Sequence, residues 1–385
     1  MKIEQKEWTK TQGWVNKDEN DLSREGKLVL VFGCKEVLTE SDRFDEIKQF
    51  YPNAEIVSCS TAGEILDNKV SEESISLTAV SFESTSIATK MAQVTNSEET
   101  TAAGIEILDD LKREDLVYVL VLSDGQIVNG TELVKCLGEN LGDDVVVTGG
   151  MAGDGPDFGT TLVGLNEAPS NGNIVGIGFY GKNLKVGHAA RGGWDPFGPE
   201  RVITKSKDNI LFELDDQSVL DLYKKYLGDL AADLPGSALL FPLGIKLNES
   251  SDPIVRTVLG VNEDDQSMIF AGGMPEGASV RMMRSNFDRL VDASSAAAHS
   301  TIEDFGSFNP DLAIVISCAG RKFVLQQHVE EEIDKVRDVL GNNTVISGFY
   351  AYGEISPVVK STKCELHNQT MTITTLKEVS DEIVE

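Results

Sequence analysis

Short apolar runs of strand length alternate along this chain with stretches of helical period. "LVLVFG" (28–33) and "LVYVLVLS" (116–123) are of the first kind, and "SEETTAAGIEILDDLKR" of the second. The apolar runs carry no polar alternation, so the strands they predict are covered on both faces, as when helices flank a sheet. The alternation itself predicts an α/β fold. Further strand pairs, "ISLTAVSF" with "SIATKMAQV" and "QSMIFAGG" with "ASVRMMRS", each lead into a helix and another strand, which makes the sheets mixed.

Repetition organises these elements. Residues 28–65 read as strand "LVLVFGC", helix "SDRFDEIKQFY", strand "AEIVS" and then "CSTAGEI"; residues 312–355 read as "LAIVISC", "VEEEIDKVRDVL", "TVIS" and "GFYAYGEI". A weaker third copy runs from "LVYVLVLSDG" through "TELVKCLGENL" and "DVVVT" to "GGMAGDG" (149–155). The expected architecture is α/β, with two pseudo-symmetric mixed-sheet lobes and flanking helices arising from internal duplication, joined near the polar segment 204–217. The expected boundaries are a polar N-terminal lead-in over 1–26, a first domain over 27–215, a second over 216–375, and an acidic tail over 376–385.

Charge narrows the partners. With 63 acidic against 34 basic residues, a net charge of −29 and a pI near 4.5 argue against nucleic acid or an anionic membrane. No stretch approaches the roughly 18 consecutive apolar residues of a membrane span, and the first residues lack the apolar region of a signal peptide, so a cytoplasmic protein is expected. Five cysteines without a C-x-x-C form neither a disulfide framework nor a thiolate zinc site.

Candidate chemistry lies where the repeats end. In "VSCSTAGEI" (57–65) a strand runs into Cys59, Ser60, Thr61 and Gly63, then a lone carboxylate, Glu64. Gly149, Gly150 and Asp154 close the second copy, and Tyr350, Tyr352 and Glu354 the third. Loops beyond the carboxyl ends of strands are where open α/β sheets bind ligands. On a continuing strand Tyr350, Tyr352 and Glu354 share one side, suited to the amine or hydroxyl groups of a small polar ligand; Glu64 and Glu354 capping or pairing at a seam is the competing structural role. The irregular "AARGGWDPFGPE" adds Arg191 and Trp194 as pocket-lining residues and makes the preceding His188 a candidate haem-iron ligand against an ordinary hydrogen-bonded histidine. "GIGFYGK" (176–182) mimics a phosphate loop, but the strand-like "NLKVGHAA" follows it where a helix is required, so a β-hairpin is expected. His328 and Glu332 are expected as a solvated i,i+4 pair. Cys59 or Ser60 as the nucleophile of a hydrolase or transferase, with Glu64 as acid or base, is the enzymatic alternative, and no base is visible beside either residue.

"SCSTAGEI", "GGMAGDG", "GGWDPFGP" and "GFYAYGEISP" occur in the order of the signature stretches of the FIST family, and over about residues 27–370 the chain resembles that family's N-terminal and C-terminal parts. Ser58 departs from it, standing where the motif commonly has glycine. The resemblance implies a sensory, non-enzymatic protein that binds a small molecule, such as an amino acid, at the shared seam of its lobes. It also implies output through a partner such as a histidine kinase of a two-component system, since no kinase, methyl-accepting or GGDEF-like segment is expected after residue 375. A stand-alone subset of the family binds haem and senses nitric oxide, and His188 is the candidate ligand for that version.

Overall fold

Two strong copies and one weak copy of the strand–helix–strand unit become three six-stranded sheets. The computed structural model describes residues 1–18, 20–246, 253–303, 309–357 and 363–379. The first repeat comprises β1 (Lys2–Thr9), β2 (Gly13–Asn16), β3 (Leu28–Gly33), α1 (Lys35–Leu38), α2 (Arg43–Phe50), β4 (Glu55–Ser60), the hairpin β5 (Glu64–Leu66) and β6 (Lys69–Ser71), and β7 (Ser74–Ser81). The second follows the same plan with β8 (Ser86–Gln93), α3 (Thr100–Leu111), β9 (Leu116–Ser123), α4 (Gly130–Asn140), β10 (Val146–Met151), β11 (Val163–Leu165) and β12 (Asn173–Tyr180). The third opens with β13 (Leu184–Arg191) and is interrupted by a second, smaller lobe. That lobe contains β14 (Asp195–Lys207), β15 (Ile210–Leu214), β16 (Gln217–Ser218), α5 (Val219–Leu227), β17 (Leu243–Lys246), β18 (Ile254–Arg256), β19 (Val258–Asn262), β20 (Ser267–Phe270) and β21 (Ser279–Arg284). The third repeat resumes with α6 (Phe287–Ile302), β22 (Leu312–Cys318), α7 (Ala319–Leu325), α8 (Val329–Leu340), β23 (Val345–Ala351), β24 (Gly353–Pro357), β25 (Cys364–His367) and β26 (Met371–Glu378).

In every repeat the two signature strands run parallel, β3 with β4, β9 with β10 and β22 with β23. Their apolar runs split between two cores by the two-residue period of a strand. Leu28, Leu30, Phe32, Tyr118, Leu120, Leu122, Leu312, Ile314 and Ile316 point inward into one core shared by all three sheets. Val29 and Val31, Val119 and Val121, and Ala313 and Val315 face outward into a separate core for each sheet. Both faces are therefore dry, which is why the runs lack polar alternation.

Each repeat lends its distal strands to a neighbouring sheet: β5 pairs with β23, β24 with β10, and β11 with β4. At the same end the backbones interlock cyclically. Ala62 N donates to Tyr350 O, Tyr352 N to Met151 O, and Gly153 N to Ser60 O, at 2.8, 3.0 and 3.0 Å. The motif ends thus meet around one pseudo-threefold axis.

The register explains the glycines. Gly149 lies opposite Val121 and Gly348 opposite Val315, and a Cβ at either would stand 1.9 or 1.8 Å from the valine carbonyl oxygen. Ser58 holds the matching place opposite Val31. Its hydroxyl is buried without a partner, so the departure from the family glycine is accommodated at the cost of one unsatisfied polar group.

Several local expectations change. Residues 1–26 are more than a lead-in, because β1 pairs with β7 along its whole length and Gln5 Nε2 donates to Thr78 Oγ1 and Ile346 O. "GIGFYGK" leads from β12 into β13 without a helix, yet the two strands belong to different sheets and form no hairpin. Segment 204–217 is a hairpin inside the smaller lobe, turning at Asp208 with φ 54°. Of the acidic tail, 376–378 complete β26, and 380–385 lie outside the described residues. The smaller lobe has its own core, including Ile203, Leu211, Tyr223, Phe270 and Val280. It joins the repeats through only 192–194 and 285–286.

Candidate functional site

The strand tips bring part of the expected site together. Asp154, on the loop after β10, accepts from Lys35 Nζ at 3.1 Å, from Gly159 N and Thr160 N, and from the Tyr352 hydroxyl. The donors surrounding it hold its carboxyl below the ordinary value despite burial. The Tyr352 ring stacks on exposed Phe158, centroids 4.6 Å apart, and Phe323 lies beyond at 6.4 Å. On the adjoining side Lys322 Nζ donates to Ala62 O at 2.7 Å and pairs with Glu72, and a Cβ on Gly63 would stand 3.0 Å from that amine. The junction therefore presents two ammonium–carboxylate pairs around an aromatic face. Lys35, Lys322, Phe158 and Phe323 escaped the sequence reading because only folding brings them to Asp154 and Gly63.

Other expected residues serve the framework. The Cys59 thiol is packed in the shared core, and burial pushes its pKa well up, opposite to what a nucleophile requires. Ser60 Oγ accepts from Leu162 N at 2.9 Å. Gly149 and Gly150 allow close packing, a Cβ on the latter meeting Ile316 and Phe349. Arg191 donates to Ala190 O and Ser300 Oγ, and Trp194 Nε1 to Gln369 O, so both stand at the root of the smaller lobe, away from the tip junction.

Glu64 is a buried cap. Thr61 Oγ1 donates to one of its oxygens and Ser74 Oγ to the other, each at 2.6 Å, and burial raises its pKa to about 7. Tyr350, Tyr352 and Glu354 do not converge, because the chain leaves one sheet for the next at Tyr352–Gly353 and sends the three side chains to different partners. Tyr350 donates at 2.6 Å to Glu332, which is fully buried with Arg321; Arg321 Nη2 lies 2.7 Å from Glu332 and also meets Leu290 O and Ser294 Oγ. Arg321 Nη1 donates to Gly192 O, tying this network to the lobe's root. The expected His328–Glu332 pair is replaced by His328 with Glu331, at 2.6 Å, because the helix turns Glu332 inward.

Glu354 faces the seam between the lobes. Its Oε2 accepts from Thr370 N and Thr370 Oγ1, while Oε1 is buried without a partner, and burial raises its pKa to about 8. The next turn, Asn368–Gln369, is wholly buried beneath the smaller lobe. Gln369 Nε2 donates to Leu239 O, and buried Arg256 donates through Nη1 to Leu366 O at 2.8 Å. Arg256, Asn368 and Gln369 gave no sequence signal, since their burial follows from the way the lobe docks.

His188, in mid-β13, lines a groove of about 340 Å³ with Leu141, Val147, Pro357, Lys363 and Cys364. The groove offers an imidazole, aliphatic walls and a cation, a donor set that fits haem in kind. Among the described residues no group of three or more histidine, cysteine or carboxylate side chains forms a metal site, and no helix is long and apolar enough to cross a membrane.

A two-lobed α/β protein with mixed sheets and glycine-bearing strand tips is the class these features define. The chain belongs to the FIST family: residues 27–217 match the FIST N domain and 220–357 the FIST C domain. Sheets combine strands from both matched regions, β5 with β23 and β13 with β26. No curated protein matches the sequence. Among solved structures, the cyanuric acid hydrolase from A. caulinodans aligns with TM-score 0.35 and 6% identity, covering 92% of this chain and 91% of that one. A second cyanuric acid hydrolase structure aligns with TM-score 0.36 and 8% identity, covering 98% and 99%. Likeness at that level carries no inference about activity.

Proposed function

We propose that this FIST protein is a small-ligand sensor, with an amino acid or similar zwitterion held at the strand-tip junction and the bound state read by a protein partner such as a histidine kinase. The supporting observation is the convergence of all three repeat ends on the Lys35–Asp154–Tyr352 cluster, beside Lys322–Glu72. Paired charges of both signs suit a ligand carrying both, and the Phe158–Tyr352 stack suits its apolar part. Signalling requires different affinity for two conformations, and a lobe joined by two short linkers next to Arg321 is the natural moving body. No catalytic role belongs to this reading, which is supported by the burial of Cys59 and the backbone bond to Ser60. A thermal-shift screen of amino acids against the full chain tests it. One chemical class should raise the midpoint, and Lys35→Met should weaken that ligand at least tenfold. An unchanged affinity in Lys35→Met and in Tyr352→Phe would remove the junction as the site.

The groove beside His188 favours a second reading, a haem-binding nitric oxide sensor. Haem bound there would supply an iron able to take a diatomic gas; the protein's part is to offer the imidazole, with Lys363 near a propionate. Haem titration monitored by absorption, in the wild type and His188→Ala, decides it: no Soret band in the wild type removes haem, and an unchanged band in the variant removes His188.

A further inference from the structure

The turn between β25 and β26 has counterparts in the other repeats, and the comparison isolates an anomaly. Gln369, Glu73 and Gly172 occupy the same left-handed position, with φ 59°, 53° and 75°, each just before the d-strand residue that receives the preceding strand: Thr370, Ser74 and Asn173. In the first two repeats the residues one step earlier, Glu72 and Asn171, are exposed. In the third repeat the smaller lobe covers the turn, and Asn368 and Gln369 have no exposed surface. Burial of that kind is normally matched by hydrogen bonds. Here it is not. Asn368 Nδ2 and Oδ1, Gln369 Oε1 and Glu354 Oε1 are all buried without partners, and so are Thr257 Oγ1 and Ser237 Oγ on the lobe's side of the seam.

The unmatched groups have a defined chemistry. Asn368 Oδ1, Gln369 Oε1 and Glu354 Oε1 accept; Asn368 Nδ2 donates, and the two hydroxyls do either. The guanidinium of Arg256 adjoins them, its printed bonds running from Nη1 and Nε to the carbonyls of Leu366, Val255 and Gly273. One fixed charge of each sign, Arg256 and Glu354, already stands in the seam, so a further net charge there would be left uncompensated in a dry environment. A guest that satisfies the seam is therefore net neutral and carries an N–H donor edge beside a carbonyl acceptor.

We propose that the seam between the smaller lobe and the third repeat is a second ligand site, built by Glu354, Asn368, Gln369, Thr257 and Arg256, for a small uncharged molecule bearing an amide group. Such a guest bridges lobe and turn, so its binding favours the docked arrangement over any in which the lobe lifts. The site is separate from the strand-tip junction and does not depend on the sensor reading given for it.

Calorimetric titration of the full chain with acetamide is the test, with glycine as a zwitterionic and acetate as an anionic comparator. Saturable acetamide binding is expected, with neither comparator binding at equal concentration. Asn368→Leu should abolish saturation, and Thr257→Val, a smaller change that keeps the fold if the first does not, should weaken binding at least threefold. Lys35→Met, at the junction, should leave acetamide affinity unchanged, which separates failure here from failure there. The proposal is overturned if acetamide shows no saturable binding, which would mean ordered water fills the seam, if glycine or acetate binds more tightly, or if Thr257→Val binds as the wild type does.

Discussion

The same tip is built twice with different outcomes in the first and third repeats. In the first, Glu64 is satisfied at both oxygens by Thr61 and Ser74, and the neighbouring turn at Glu72–Glu73 lies in water. In the third, Glu354 holds Thr370 with one oxygen and leaves the other unpaired, while the turn at Asn368–Gln369 is sealed under the smaller lobe. Equivalent backbone positions thus give a closed cap in one place and an incomplete polar seam in the other. The repeat supplies the scaffold, and the inserted lobe makes one copy a place where something further can bind.

The sharpest way to break the comparison is at the strand before each tip. Gly348→Ala forces a Cβ to 1.8 Å from Val315 O and should cost about 5 kcal/mol or prevent folding, measured by urea denaturation. Next comes the ion pair that the third repeat alone possesses: Arg321→Met leaves Glu332 buried without its cation and should cost about 4 kcal/mol, much of it regained when Glu332 is also replaced by Met. A smaller effect separates the two carboxyls by pH. Both are raised from the ordinary 4.5, Glu64 to about 7 and Glu354 to about 8, so each binds its proton more tightly in the folded chain. The stability they contribute is full below pH 4.5 and is lost as pH rises through 7 to 8, on the order of 2 kcal/mol for each. Midpoints measured from pH 5 to 9 should fall, Glu64→Gln flattening the slope near 7 and Glu354→Gln near 8. Smallest of all, Ser58→Ala should change stability by no more than about 0.5 kcal/mol, or raise it, because it removes an unpartnered buried hydroxyl.

Much of the fold was legible because strand pairing repeats a local pattern. The runs at 28–33, 116–123 and 312–318 showed their two-sided burial in composition alone, and the motif ends showed where three strands stop. Legibility ended where the chain bends between sheets. Tyr350, Tyr352 and Glu354 share an alternation in sequence, yet the bend at Tyr352–Gly353 sends them to Glu332, Asp154 and Thr370. Arg321 resembles any surface arginine next to Lys322, and nothing local reveals that its helix buries it against Glu332.

The order of residues by itself determined the α/β class, the repeat and the family, since each rests on short-range periodicity and on glycines demanded by backbone contact. Only the tertiary structure decided which carboxylates are satisfied and which are not. That outcome depends on groups more than a hundred residues apart, Glu354 and Asn368 against Ser237 and Thr257, being sealed from water together when the smaller lobe closes over one turn of three.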